Sequence, residues 1–104
     1  MTAVRTVVWA PRAKRDLRDI WRYYARAASP EIADRIVREI ASSGERLGQN
    51  PLPGRERDEL RPALRSLLVH PHTLFYRIEA NTAQVVRVLH ERRDFLNLFA
   101  AGEE

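Results

Sequence analysis

The sequence predicts an α+β domain ordered β-α-α-β-β-β: an N-terminal strand, a helical hairpin packed on a small, mainly antiparallel sheet, and a short C-terminal helical tail. Two observations carry this. Apolar residues first recur at helical spacing through two consecutive segments divided by a helix-start signal. They then switch to three short β-rich runs joined by linkers of hairpin length. Helices grouped ahead of strands favour one helical layer on an antiparallel sheet over alternating crossovers.

Each element has a local cause. Val4, Thr6 and Val8 alternate with Arg5, Val7 and Trp9, a strand that stops at Pro11, whose fixed φ suits a first helical turn. From Ala13 to Ala28, Leu17, Ile20, Trp21, Tyr24 and Ala28 share one helix face. That spacing makes Trp21 and Tyr24 core residues. Ser29-Pro30-Glu31 then offers an N-cap, a proline at the first helical position and an acid at the positive end of the dipole. Ile32, Ile36, Val37, Ile40 and Leu47 keep the second helix going to Asn50-Pro51, and the short connection makes the two helices antiparallel neighbours. Pro51, Pro53 and Gly54 open a charged, solvated loop through Arg55-Glu56-Arg57-Asp58-Glu59. Strands follow at Leu64–Val69, Thr73–Ile78 and Gln84–Leu89, with His70-Pro71-His72 and Glu79-Ala80-Asn81-Thr82 as turns. Phe95, Leu96, Leu98 and Phe99 form the tail.

Composition narrows the function. A chain of 104 residues without repeats is expected to be one domain over 1–104, with about two thirds of its extended surface removed from water. Being 44% hydrophobic and 31% charged, it is expected to be globular and cytoplasmic: no run approaches the roughly 20 apolar residues of a membrane helix, and the N-terminus lacks a signal-peptide core. Without cysteine there is no disulfide, thiolate nucleophile or cysteine-ligated metal. His70 and His72 flank Pro71 but lack a third ligand at suitable spacing, so neither metal nor cofactor is expected. A formal charge of +4 and a pI near 10.3 favour an anionic partner, nucleic acid or acidic peptide. Alternation of arginines with acids, as in Arg15-Asp16 and Arg18-Asp19, is equally what a solvated mixed-charge helix face gives. All the basic residues are arginine except Lys14.

Arg65, Arg77 and Arg87 lie inside apolar strands, where alternation puts Arg65 with Leu67 and Val69, Arg77 with Phe75, and Arg87 with Val85 and Leu89. Buried guanidinium groups are costly unless paired. These arginines therefore either meet acids such as Glu79 or line a groove that a partner fills. His90, followed by Arg92 and Arg93, is either an acid–base group or a strand-end histidine hydrogen-bonded to a neighbouring carbonyl or carboxylate.

An ordered set of signatures runs through these elements: Trp9-Ala10-Pro11-Arg12-Ala13, Asp16-Leu17, Ile20-Trp21 and Tyr24; Asn50-Pro51 and Gly54-Arg55; Leu64-Arg65-Ser66-Leu67; Phe75-Tyr76-Arg77; and Arg87-Val88-Leu89-His90 with Arg93-Asp94. In order and spacing, over roughly residues 5 to 96, the chain resembles ParE-type toxins of the ParE/RelE superfamily of type II toxin–antitoxin modules. The resemblance implies a toxin neutralised by a ParD-like antitoxin with an acidic C-terminal segment; if the strand arginines line a groove, that segment is expected to fill it, with Arg65, Tyr76, Arg77, Arg87 and Arg93 as the antitoxin-binding residues. ParE members typically poison DNA gyrase, whereas RelE members cleave messenger RNA on the ribosome without metal. For the second activity the resemblance supplies Arg65, His90 and Arg92. Leu67 and Thr73, however, stand near positions where those ribonucleases carry basic residues, and the tail has Phe95 and Phe99 but no tyrosine. The expected activity is thus gyrase inhibition by contact, with no catalytic residue assigned. The alternatives are a ribosome-dependent endoribonuclease and a degenerate, non-toxic antitoxin-binding homologue.

Overall fold

The computed structural model describes residues 6–50 and 53–102. Strand β1 spans Thr6–Trp9; the expected start at Val4 and Arg5, like Pro51, lies outside the described residues. Helix α1, Pro11–Ala27, begins on its proline after an extended Ala10, and α2, Pro30–Glu45, begins where Ser29 Oγ accepts the Ile32 amide at 3.2 Å. The second helical run was expected to reach Asn50; instead α2 tightens into a 3-10 turn over Arg46–Gly48 that buries Leu47.

Four further strands complete a five-stranded sheet of order β1-β5-β4-β3-β2. They are β2 (Arg55–Glu56), β3 (Arg65–Val69), β4 (His72–Glu79) and β5 (Thr82–His90). The β3-β4-β5 meander is antiparallel as expected, and β1 joins β5 in parallel from Thr6↔Thr82 to Trp9↔Val85. Strand β2 departs from the expected solvated loop: Arg55 and Glu56 pair with Ser66 and Arg65. Two exposed charged residues make a short, blunt edge strand, one of the ways a sheet discourages unwanted pairing.

Both sheet faces are covered. The helical hairpin lies over Leu74, Tyr76, Ala83, Val85 and Val88, with Ala13, Ile40 and Leu47 from the helical side. The tail, α3 (Phe95–Ala100), covers the opposite face, where Phe99 meets Leu64, Phe75, Val86 and Leu89. Asp94 caps α3 by accepting the Asn97 amide at 3.3 Å.

One irregularity bears on the site. Tyr76 pairs with Val85 but Phe75 with Arg87, so Val86 is an extra residue, a β-bulge. Val85 consequently packs on the hairpin side and Leu89 on the tail side. The expected alternation of Arg87 with both Val85 and Leu89 fails because the bulge breaks the period.

Candidate functional site

The bulge lies where β5 loses its parallel neighbour. β1 ends opposite Val85, whose carbonyl accepts the Ala10 amide at 2.9 Å. Past that point the chain of β1 has turned into α1, and a side chain of that helix takes over as edge partner: the Val88 amide donates to Asp16 Oδ2 at 2.9 Å. The same carboxylate receives Arg87 Nε at 2.8 Å and Arg87 Nη2 at 3.0 Å, a bidentate fork. With side chains only 4% and 11% exposed, Arg87 and Asp16 form an internal pair that closes the sheet edge. Of the two possibilities open for Arg87, pairing with an acid is realised, although the acid is Asp16 and not Glu79.

Next to this pair, between the second half of α1 and the end of β5, a cleft of about 420 Å³ opens, lined among others by Tyr23, Tyr24, His72, His90 and Arg93. His72 and His90 are register partners whose rings meet edge to face at 5.6 Å, and Tyr24 meets His72 the same way at 6.0 Å. His72 is buried and its Nδ1 has no hydrogen-bond partner. Burial holds its pKa below the ordinary histidine value, helped by His90 and His70 and opposed by Glu91. His90 Nδ1 accepts the Arg92 amide at 3.1 Å, so the strand-end histidine is anchored to the following backbone amide, not to the carbonyl or carboxylate expected. Glu91 lies 3.3 Å from the exposed His70 ring.

At the other end of the sheet, Arg65 Nη2 donates to the Gly54 carbonyl at 2.6 Å and the Tyr76 hydroxyl accepts the Gly54 amide at 3.0 Å. A Cβ on Gly54 would stand 2.5 Å from the Tyr76 hydroxyl, so the loop approaches this closely only as glycine. Tyr76 is fully buried. Arg65 follows the expected alternation, on the hairpin side with Leu67, Val69 and its register partner Tyr76, whereas Arg77 shares the tail-side face with Phe75.

The predicted site residues therefore do not converge on one groove. Arg65 and Arg77 point to opposite faces, Arg87 is closed inside, Tyr76 is core, and Arg93 lines the cleft. The ribonuclease set is not assembled either. Arg65 pairs with Tyr76 and His90 with His72, four positions apart on β4 and so about 13 Å along the strand, with a further strand spacing on either side. Trp21 and Tyr24, expected in the core, occupy seams: Trp21 Nε1 donates to Asp34 of α2 at 2.7 Å, and Tyr24 meets His72 edge to face.

Asp16 and His72 carry more of the site than the sequence suggested. Asp16 belongs to the quoted signatures, but its partner is 71 residues away, which no local pattern reveals. Arg57, expected to be solvated with its loop, is packed instead. It is 15% exposed, hydrogen-bonded to Glu59 at 2.7 Å, and stacked 5.9 Å and 5.7 Å from the centres of Phe75 and Phe95. That hydrogen bond is the main reason the Glu59 carboxyl is held below the usual carboxylate range.

Comparisons with known proteins agree with this architecture. Residues 7–95 match the family model described as the ParE toxin of the type II toxin–antitoxin system parDE. Toxin ParE1 of Mycobacterium tuberculosis is 40% identical over 86 residues, 82% of this chain and 88% of that protein. Toxin ParE1 of Caulobacter vibrioides is 34% identical over 80 residues, 77% of this chain and 82% of that protein. Among solved structures, the chromosomal ParDE system from P. aeruginosa superposes with a TM-score of 0.75 at 25% identity, covering 86% of this chain and 98% of that one. A strand-helix hairpin-meander fold, a sheet edge closed from the first helix, and a family match spanning nearly all the described residues lead to one assignment: the chain belongs to the ParE toxin family of type II toxin–antitoxin systems.

Proposed function

We propose that this ParE-family chain is the toxin of a module whose antitoxin is ParD-like, that it acts in the cytoplasm, and that it arrests growth by poisoning DNA gyrase through contact. The reading rests on the family match together with one observation: Arg65 is separated from His90 and Arg92 by much of the length of the sheet. A metal-independent ribonuclease needs its proton-transfer and charge-stabilising groups around one phosphate, so this spacing weighs against that alternative. The antitoxin partner is supported by the ParDE likeness. Its acidic segment is read as approaching the exposed Arg93 and the outer ends of the half-buried Arg65 and Arg77, with Tyr76 and Arg87 acting from inside by fixing the strands beneath.

Induction in a bacterial host distinguishes the alternatives. A gyrase poison gives filamentous cells with a DNA-damage response, relieved by a co-expressed ParD-like antitoxin, and His90→Ala stays fully toxic. Arrest with messenger RNA cleavage that His90→Ala abolishes would transfer the activity to the ribosome. Unimpeded growth with abundant folded protein would identify a degenerate toxin.

A further inference from the structure

The outward face of α1 carries an array of charge that neither the core nor the proposed contacts use. Lys14, Arg15, Arg18, Arg22 and Arg26 are all exposed, and Arg15, Arg18, Arg22 and Arg26 follow one another at steps of three, four and four residues. At 100° per residue these four fall within about 80° of arc, opposite the stripe formed by Ala13, Leu17 and Ile20, and they extend along about 16 Å of helix. Among the acids of α1, Asp16 is turned to Arg87 and Val88, and Asp19 lies 3.8 Å from Arg22 on the edge of the arc. The array thus keeps a strong net positive charge. Helix α2 differs: its exposed Arg35 and Arg38 are interleaved with exposed Glu31, Asp34 and Glu39.

Like charges three or four residues apart destabilise a helix by a few tenths of a kcal/mol per pair. A helix that repeats the arrangement three times, on a rigid scaffold and on its outermost face, is suited to a regular polyanion. We propose that the outer face of α1 binds the phosphate backbone of duplex DNA, without sequence preference. The occupant follows from the pattern. Tyr23, 63% exposed beside Arg22 and Arg26, is the large aromatic side chain on this face, too little for the stacked platforms that hold single strands. A folded protein partner would call for a central apolar anchor, and a lipid surface for an apolar helix face, whereas that face of α1 is packed on the core. Duplex DNA presents one charge per about 1.7 Å of axis and asks only for positioned cations.

The test uses purified protein and a fluorescently labelled 30-base-pair duplex, followed by anisotropy across a salt series without gyrase, so its failure leaves the gyrase reading untouched and the reverse. Four to five phosphate contacts give a log–log salt slope of about −4. Arg18→Ala/Arg22→Ala is expected to weaken binding at least tenfold and make the slope about two units shallower. The control Arg35→Ala/Arg38→Ala removes the same charge from α2 and is expected to leave the slope in place. Arg15→Gln/Arg26→Gln provides a second α1 variant should the first fold poorly. Absence of saturable binding at 50 mM salt, equal losses in the α1 and α2 variants, or tighter binding to polyglutamate or duplex RNA would each overturn the proposal.

Discussion

Asp16 shows how much one residue can hold. Its carboxylate satisfies two donors of a buried guanidinium and the Val88 amide, which lies past the end of β1. Removing one partner of a buried pair leaves an uncompensated charge at a cost of about 3–5 kcal/mol. Asp16→Ala should therefore lower the unfolding free energy by about that amount in urea titrations, and Asp16→Ala/Arg87→Leu should recover part of it; equal stability of the single variant and the parent would contradict this role. His72 adds a pH dependence. Its folded pKa is lowered below 6.5, so the unfolded chain binds more protons beneath that value. This contribution to stability is complete above about pH 6.5 and is lost as pH falls through 6.5 toward the folded pKa. The urea midpoint should drop between pH 7.5 and 5.5 more in the parent than in His72→Phe. At this scale the sequence was least informative: it showed that Arg87 needed a partner, but nothing local identifies Asp16, and the bulge that redirects β5 has no glycine to announce it.

Elements were far more legible. The hairpin of helices, the three-strand meander and the tail follow from spacing and capping residues, because the forces that set them act within a few residues. Strand β2 was hidden because two exposed charged residues carry no strand signal; tertiary contacts create it. Gly54 is the joint that makes this edge possible. Gly54→Ala should destabilise the protein by about 1–3 kcal/mol, since the new methyl meets both the Tyr76 hydroxyl and the Ser66 carbonyl at less than 3 Å. Tyr76→Phe leaves the Gly54 amide unpaired and should cost about 1–2 kcal/mol; combining it with Gly54→Ala should give less than the sum, because the hydroxyl that clashes is gone. Helix α3 is likewise held by distant side chains: Arg57 stacks on Phe95, and Arg61 Nη2 donates to the Phe99 carbonyl at 2.7 Å. Phe99→Ala should cost about 3–5 kcal/mol and raise amide exchange across the tail-side face of the sheet.

For the whole molecule, the sheet buried on both faces divides the labour. One end is tied by Gly54, Arg65 and Tyr76, the other opens into the cleft bordered by His72, His90 and Arg93, and the outward side of α1 carries the cations. Arg65 and His90 thus stand at opposite ends of the sheet, the spacing on which the proposal of inhibition by contact rests. The most direct measurement is incubation of the purified protein with DNA gyrase and supercoiled plasmid, with the reaction stopped by denaturant and protease to release trapped cleavage complexes. Gyrase poisoning by contact gives linear DNA that appears only with gyrase and disappears when the ParD-like antitoxin is added. A folded protein that yields no linear DNA under those conditions, yet still stops growth, would contradict it.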